Sequence, residues 1–372
     1  MKNILVITPF FYPHIGGSER YMEDLYAYIK EKNESIGIDV LCYNTNKVKS
    51  RQLYRGLNIY RIPCFNILTD QFCLPKPIPL IKFLIANRSK YDLIHVSTRF
   101  FDSSWWAPVW AKLTKTRIIL TDHCASHPTS DSVFVRLVSK IIDQTIVASV
   151  LPLYEKIFVE SKKTQNFLKK TFNVKSTLAY PGIDESPTSP WRHKNLPAGR
   201  QVEVLYIGRL IESKGINFLF EIAQKNPSAN FIFAGSGRLL DALKKKSRGA
   251  RNISMLGSVS RNEVKKLLQR ADIFAYPSWH SEGLPMSLIE AAQAALGIVA
   301  TDSGAISELV IDQKTGLLTA VGDSEAFKNA LKRLVESQSL RKRLGKNAQE
   351  FVESNFSWGK AADLIVKELS ST

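Results

Sequence analysis

Residues 277–295 read Pro277-Ser-Trp-His-Ser-Glu282-Gly-Leu-Pro-Met-Ser-Leu-Ile-Glu290-Ala-Ala-Gln-Ala-Ala295. The mostly apolar run Ala271 to Tyr276 before this stretch has strand character, and Met286 to Leu296 is a run of good helix formers. The pattern predicts strand, loop, helix, with Glu282 in the loop and Glu290 a turn or two inside the helix. The start of such a helix presents unpaired backbone N–H groups and the positive end of the dipole, a natural phosphate site. Two carboxylates beside it would serve to hold hydroxyls. A nucleotide sugar carries both features, a diphosphate flanked by ribose and hexose hydroxyls. On spacing alone, an ordinary strand–loop–helix unit with two surface acids is the favoured reading, and the rest of the chain reverses that preference.

The surrounding sequence extends the alternation in both directions. After 200, strands are predicted at Val202 to Ile207, Asn230 to Gly235, Ile253 to Leu256, Gly297 to Thr301 and Gly316 to Thr319, with helices between them. Three helices, 324–336, 339–354 and 358–369, close the chain. The strand 202–207 runs into Gly208-Arg209-Leu-Ile-Glu-Ser-Lys214-Gly215. Two cations there, facing a helix start at 283–286, would clamp a diphosphate, each charge-assisted contact contributing roughly 1.5–3 kcal/mol.

The first half repeats the pattern, with strands near Ile4 to Thr8, Ile38 to Tyr43, Asn58 to Ile62, Asp92 to Val96, Arg117 to Thr121 and Glu155 to Ser161. Helices are expected at 20–31, 78–86, 134–154 and 162–170, and 63–79 reads as a proline-rich irregular loop. Gly16-Gly17 stands before the first helix, where it would let backbone approach an anion or form a simple turn. Asp122-His123 stands where a strand ends. Ligands gather at the carboxyl ends of strands in open α/β sheets, so His123 is a candidate site residue, with a structural role as the alternative. Trp105, Trp106 and Trp110 read as core in preference to a contact surface. Two doubly wound α/β domains are therefore expected, 1–180 and 181–355, joined through 185–200.

Bulk properties narrow the function classes. The chain has 372 residues and a net charge of +17. Residues 1–180 hold 25 Lys and Arg against 14 Asp and Glu, an excess of 11, and residues 181–372 hold 26 against 20, an excess of 6. Such an excess suits anionic partners. No zinc-finger spacing, RNP-like motif or basic heptad region is present, which disfavours nucleic acid. Cys42, Cys64, Cys73 and Cys124 show neither CxxC nor framework spacing and read as reduced residues of a cytoplasmic protein. The N-terminus opens directly into a strand, and no apolar run reaches transmembrane length. No metal site is expected. Gly235-Ser-Gly237 lacks the third glycine and acidic partner of a dinucleotide fingerprint.

Taken together these motifs resemble glycosyltransferase family 4, the group 1 glycosyl transferases, across essentially the whole chain. The matching residues are Gly208-Arg209-Leu210 with Lys214-Gly215, Phe233-Ala-Gly235-Ser-Gly237, Pro277-Ser with Glu282-Gly and Glu290-Ala, and Thr301-Asp302-Ser-Gly304 with Glu308-Leu. Gly16-Gly17-Ser-Glu, Asp92-Leu-Ile-His95, Tyr180-Pro-Gly182-Ile-Asp184 and Phe356-Ser357-Trp358 complete the set. The chain departs from the usual pattern at Ala295, where glycine is common, at Gly297, where proline is common, and at Ala305 and Ser307.

The resemblance implies a GT-B fold, two Rossmann-like domains facing a central cleft, and sugar transfer with retention from a UDP- or GDP-linked donor. That the segment 356–372 returns to the first domain is implied only by this resemblance. It implies that Gly208, Arg209 and Lys214 meet the diphosphate, Glu290 the ribose, and Glu282 the transferred sugar, with Gly283 and Leu284 backbone near the phosphates. Gly16 and Gly17 would admit phosphate or acceptor, and His123 would sit by the donor sugar. No cofactor is implied beyond the donor itself, and the acceptor would be a glycan, lipid-linked or small molecule. The basic first domain adds the expectation of peripheral contact with the inner face of a membrane. A non-catalytic nucleotide-sugar-binding or scaffold protein on the same fold is the alternative, and a phosphorylase or epimerase is disfavoured by the motif set.

Overall fold

The computed structural model describes residues 2–14, 16–68, 72–127, 133–183, 199–281 and 283–370. The expected segment 185–200 falls largely outside them, as do Asp184 and Glu282. The chain divides into two compact units, Met1–Gly182 with Trp358–Thr372, and Ile183–Ser357.

The first unit contains β1 (Asn3–Ile7), β2 (Gly37–Tyr43), β3 (Arg51–Tyr54), β4 (Leu57–Ile62), β5 (Cys64–Leu68), β6 (Phe72–Pro75), β7 (Leu93–Ser97), β8 (Arg117–Asp122), β9 (Lys156–Val159) and β10 (Thr177–Leu178). Eight of these form one sheet in the order β10-β9-β8-β7-β1-β2-β4-β3, parallel throughout except for β3 against β4. All five residues of β7 are buried, as befits a strand covered on both faces. Leu5, Ile7, Ile94, Val96, Ile118 and Leu120 build a core on one face with Leu80 and Leu84 of the Pro77–Ala86 helix, and Ala107 and Ala111 of the Ser103–Thr114 helix. Trp105, Trp106 and Trp110 lie half-buried against that core, as their apolar spacing suggests. On the other face the Tyr26 hydroxyl meets Nδ1 of His95 at 2.5 Å. The closing Trp358–Ser370 helix packs there against the Gly17–Lys32 helix, with Trp358 edge-on to Tyr21 at 5.4 Å.

Two local expectations need correction. The described residues of 63–79 are mostly in regular elements. β5 and β6 pair as an antiparallel hairpin, and Pro63, Pro75 and Pro77 stand at element ends, where a missing N–H costs nothing. The long helix expected over 134–154 is helical but not uniform. Val133–Ile142 runs into a π turn, Asp143–Val147, before finishing at Leu153. The π turn carries the buried Asp143 into a cluster where Oδ1 accepts from the buried Arg99 Nε at 3.2 Å and Oδ2 meets Nδ1 of the half-buried His127 at 2.5 Å.

The second unit holds β11 (Val202–Ile207), β12 (Ala229–Ala234), β13 (Ile253–Gly257), β14 (Ile273–Tyr276), β15 (Gly297–Thr301) and β16 (Leu317–Thr319). They form an all-parallel sheet in the order β13-β12-β11-β14-β15-β16. Successive strands run one way from β11 and then the other, so the strand order reverses between β11 and β14. That is where an open α/β sheet offers a crevice. Among the described residues, no helix is long and apolar enough to cross a membrane.

Candidate functional site

The second unit assembles its candidate site at that reversal point, on the loops leaving β11 and β14. The two loops are tied directly: backbone N–H groups of Trp279 and His280 donate to the Ser213 carbonyl at 2.9 and 3.2 Å. Gly215 takes φ +69°, and a Cβ there would fall 2.0 Å from the Pro277 carbonyl oxygen, so only glycine lets the loops approach this closely. Gly235, leaving β12 at φ +140°, similarly abuts the carbonyl of Gly208. Gly208 donates its N–H to Ala234 at 3.1 Å, and Leu210 to Ser236 at 2.7 Å. Three strand ends are thus stitched through backbone, which fixes where Arg209 and Lys214 emerge.

Those two cations sit differently. Arg209 is exposed, its carbonyl accepting from the Tyr206 hydroxyl at 3.0 Å. Lys214 is buried at the end of a 3-10 turn, Glu212–Lys214, its Nζ 3.3 Å from the Tyr276 hydroxyl and 5.7 Å above that ring. A buried ammonium needs anionic or dipolar company, and the aromatic face supplies part of it.

The helix predicted after Glu282 is Met286–Gln293, with Pro285 as an N-cap that makes no side-chain cap hydrogen bond. Proline offers no side-chain acceptor, so the N-cap residue itself does not meet the first N–H groups of the helix. Glu290 is its fifth residue and is buried, and Leu284 is buried just before it, with Gly283 half-exposed. The structure thus brings Gly208, Arg209, Lys214, Gly283, Leu284 and Glu290 to two adjoining loops and one helix start.

In the first unit, His123 follows β8 directly and is buried. Its Nδ1 lies 2.8 Å from Glu160 Oε2 and its ring stands edge-on to Tyr21 at 5.0 Å. Nε2 is buried without a hydrogen-bond partner among the described residues. Burial pushes the imidazole pKa down, but Glu160, with Asp122 and Glu19, outweighs it, so the net shift is upward. Sequence reasoning overlooked Glu160. Its place follows only from the strand order: β9 lies beside β8 with Asp122 paired to Val159, which sets residues 123 and 160 side by side.

His95 is different: both ring nitrogens are engaged, Nε2 with Thr121 Oγ1 at 2.7 Å, and burial lowers its pKa to about 3. It is a neutral core histidine. Arg99, fully buried, binds Asp122 and Asp143 and donates to the carbonyls of Cys124 and Ser126 at 2.9 and 2.7 Å. This network anchors the loop that carries His123. Gly16 caps the Gly17–Lys32 helix in an extended conformation with no side-chain cap. A Cβ on Gly16 would strike the Glu19 carboxylate, whereas beside Gly17 the Cβ direction is open.

No group of three or more His, Cys, Asp or Glu side chains suited to a metal occurs among the described residues. All four cysteines are free thiols.

Comparison with known proteins bears on this arrangement. The model of the glycosyl transferases group 1 family matches residues 188–351, and that of Glycosyltransferase Family 4 matches residues 15–186. An uncharacterized glycosyltransferase of Methanocaldococcus jannaschii, MJ1069, is 27% identical over 96% of this chain and 95% of its own. A subunit of the human phosphatidylinositol N-acetylglucosaminyltransferase is 24% identical over 98% of this chain and 75% of its own. Among solved structures, Anabaena HepE in complex with UDP and glucose superposes with a TM-score of 0.76 at 18% identity, covering 99% of each chain. Two family models that adjoin at 186–188, over two parallel-sheet units of GT-B type, place this chain in glycosyltransferase family 4.

Proposed function

We propose that this protein transfers a sugar from a nucleoside-diphosphate donor to a carbohydrate or lipid-linked acceptor, with retention at the anomeric carbon and without a metal. The observation that carries the reading is the grouping at the β11/β14 reversal: two cations, a helix start without a side-chain cap, and a buried carboxylate one turn inside that helix. Arg209, Lys214 and the helix N–H groups suit a diphosphate, and Glu290 suits the ribose hydroxyls. HepE, of the same fold, has been captured with UDP and with UDP-glucose, which favours a uridine donor here. The human relative's name points to phosphatidylinositol as the acceptor in that protein, and this favours a lipid-linked acceptor here.

In this mechanism the bond between the anomeric carbon and the phosphate oxygen breaks while the acceptor oxygen bonds the same carbon on the same face. Negative charge gathers on the leaving phosphate, where Arg209, Lys214 and the helix end stabilise it. A phosphate oxygen takes the acceptor proton. No enzymic nucleophile is required, so Glu290 and Glu282 serve as hydroxyl ligands rather than as the acid and nucleophile of a hydrolase. His123, held by Glu160 and presenting Nε2, is assigned to a hydroxyl of the transferred sugar. The test is to follow UDP-glucose and related donors by proton NMR with the purified protein and chelator. An α-linked product, or slow release of α-sugar to water, supports the reading. Release of only the β-anomer would overturn retention, and no turnover of any UDP or GDP sugar would overturn the activity.

A further inference from the structure

His123 is fixed by groups that come from separate parts of the first unit. Glu160, directly after β9, places Oε2 2.8 Å from Nδ1, and both side chains are buried. Tyr21 of the Gly17–Lys32 helix stands edge-on to the ring at 5.0 Å. Tyr21 is itself held by its hydroxyl, which donates to the Ala179 carbonyl at 3.1 Å. Asp122 precedes His123 at the end of β8 and is bound to the buried Arg99. An ionised carboxylate only accepts, so Nδ1 carries the proton in the contact with Glu160. Nε2, buried and without a partner among the described residues, is the ring nitrogen left to meet a ligand.

Two states of the ring satisfy that contact. A neutral ring would present a lone pair at Nε2, and a protonated ring would present an N–H. The surrounding charges decide between them. Burial works against the charged ring, and Glu160, Asp122 and Glu19 together more than offset it. The other titratable groups nearby do not reverse this. His95 on β7 is held neutral by its burial, and burial pushes the Cys124 thiol up to about 12. Burial and Glu160 likewise raise the Tyr21 hydroxyl. Arg99 is matched by two carboxylates, Asp122 and Asp143, and His14 Nδ1 stands 3.6 Å from Glu19 Oε1. We propose that Glu160 is a positioning residue for transfer: it holds His123 protonated on both nitrogens, so that Nε2 donates a hydrogen bond to a hydroxyl of the transferred sugar. This rests on the reading of the chain as a sugar transferase and adds to it a residue and a protonation state. The His123–Glu160 pair carries no net charge. It therefore supplies a charge-assisted donor without opposing the positive charge that develops on the sugar as the phosphate leaves. As pH rises, the proton is lost from Nε2, because Glu160 keeps the one on Nδ1, and the donor disappears.

Proton–carbon NMR of the full-length protein reads the ring with no donor present. The His123 signal is assigned by its loss in His123→Ala and titrated in the native protein, Glu160→Gln and Glu160→Asp. The native ring is expected to titrate above 6.5. In Glu160→Gln the midpoint is expected to fall by about one unit or more, a tenfold change in proton affinity. Glu160→Asp keeps the charge and is expected to stay within about half a unit of the native value. The rate of UDP-sugar turnover is then followed against pH in the same proteins. Its alkaline fall is expected at the NMR midpoint and should move with that midpoint in Glu160→Gln, whereas a merely steric defect lowers the rate equally at every pH. A native midpoint at or below 6.5 overturns the proposal, and that measurement needs no variant. A midpoint or an alkaline limb that Glu160→Gln leaves in place overturns it too. Absence of turnover with every UDP and GDP sugar would remove the transferase reading and this role with it. The titration alone still reports whether Glu160 holds the ring protonated, so the two failures are told apart.

Discussion

Glu290 and Arg209 carry the donor assignment and fail in different ways. If the buried Glu290 carboxylate holds ribose hydroxyls, as proposed, it acts equally on ground state and transition state, and Glu290→Ala is expected to weaken nucleotide binding by about tenfold, measured by calorimetry. In its proposed role the exposed Arg209 would meet charge that grows during bond breaking, so Arg209→Ala is expected to lower kcat by roughly 100-fold with a smaller change in KM. The His123–Glu160 pair makes a stability statement as well. The folded pKa of His123 is raised above its unfolded value of 6.5. Its contribution is therefore fully present below about pH 6.5 and fades as pH rises through the folded value. Glu160→Gln should accordingly cost most in thermal midpoint near about pH 5.5 and least near about pH 9, a contrast a merely steric role would not give. Of these residues, Arg209, Lys214, Glu290 and His123 were legible in the sequence because loops after strands and a helix start locate them. Glu160 was not, because its meaning depends on which strand lies beside β8.

At the level of elements, alternating apolar runs revealed nearly every strand of both sheets. Within those sheets β3 and the two-residue β10 were missed, being short and half-exposed, and so was the separate β5–β6 hairpin, which lies among prolines without a clean period. The π turn at Asp143–Val147 was invisible for another reason: local propensity there is helical, and the contacts of Asp143 with Arg99 and His127 form only in the fold. One departure from the family pattern now has a physical reading. Ala295 ends the Met286–Gln293 helix region at φ +56°, a left-handed position where glycine pays no Cβ penalty. Ala295→Gly is expected to stabilise the second unit by about 1 kcal/mol, less the unfolded-state entropy that glycine adds. Chemical denaturation followed by tryptophan fluorescence checks this, and an unchanged or lower midpoint would contradict it. Gly345 closes on the same turn, where a Cβ would fall only 2.0 Å from the Ala295 carbonyl oxygen, so Gly345→Ala should destabilise by roughly 1–3 kcal/mol.

For the whole molecule, the chain leaves its first unit, builds the second, and returns. The returning helix is anchored by Trp358 against Tyr21 and Gly182, and by Glu368, whose carboxylate accepts from Arg117 Nη2 at 3.0 Å. Deleting residues 358–372 is therefore expected to lower the unfolding midpoint of the first unit by several degrees while leaving nucleotide affinity in the second unit within about twofold. Two-transition calorimetry with and without UDP separates the effects. The division into two α/β units was readable from the repeated strand–helix alternation, and the return of the last helix from its resemblance to a known motif rather than from any local signal. The most direct test of the donor site is calorimetric titration of UDP and GDP, in chelator and then with magnesium, into the native protein and Glu290→Ala. Binding of one of them in chelator, unchanged by magnesium and weakened about tenfold by Glu290→Ala, is the expected result. Binding of neither, or equal binding by native protein and variant, would contradict it.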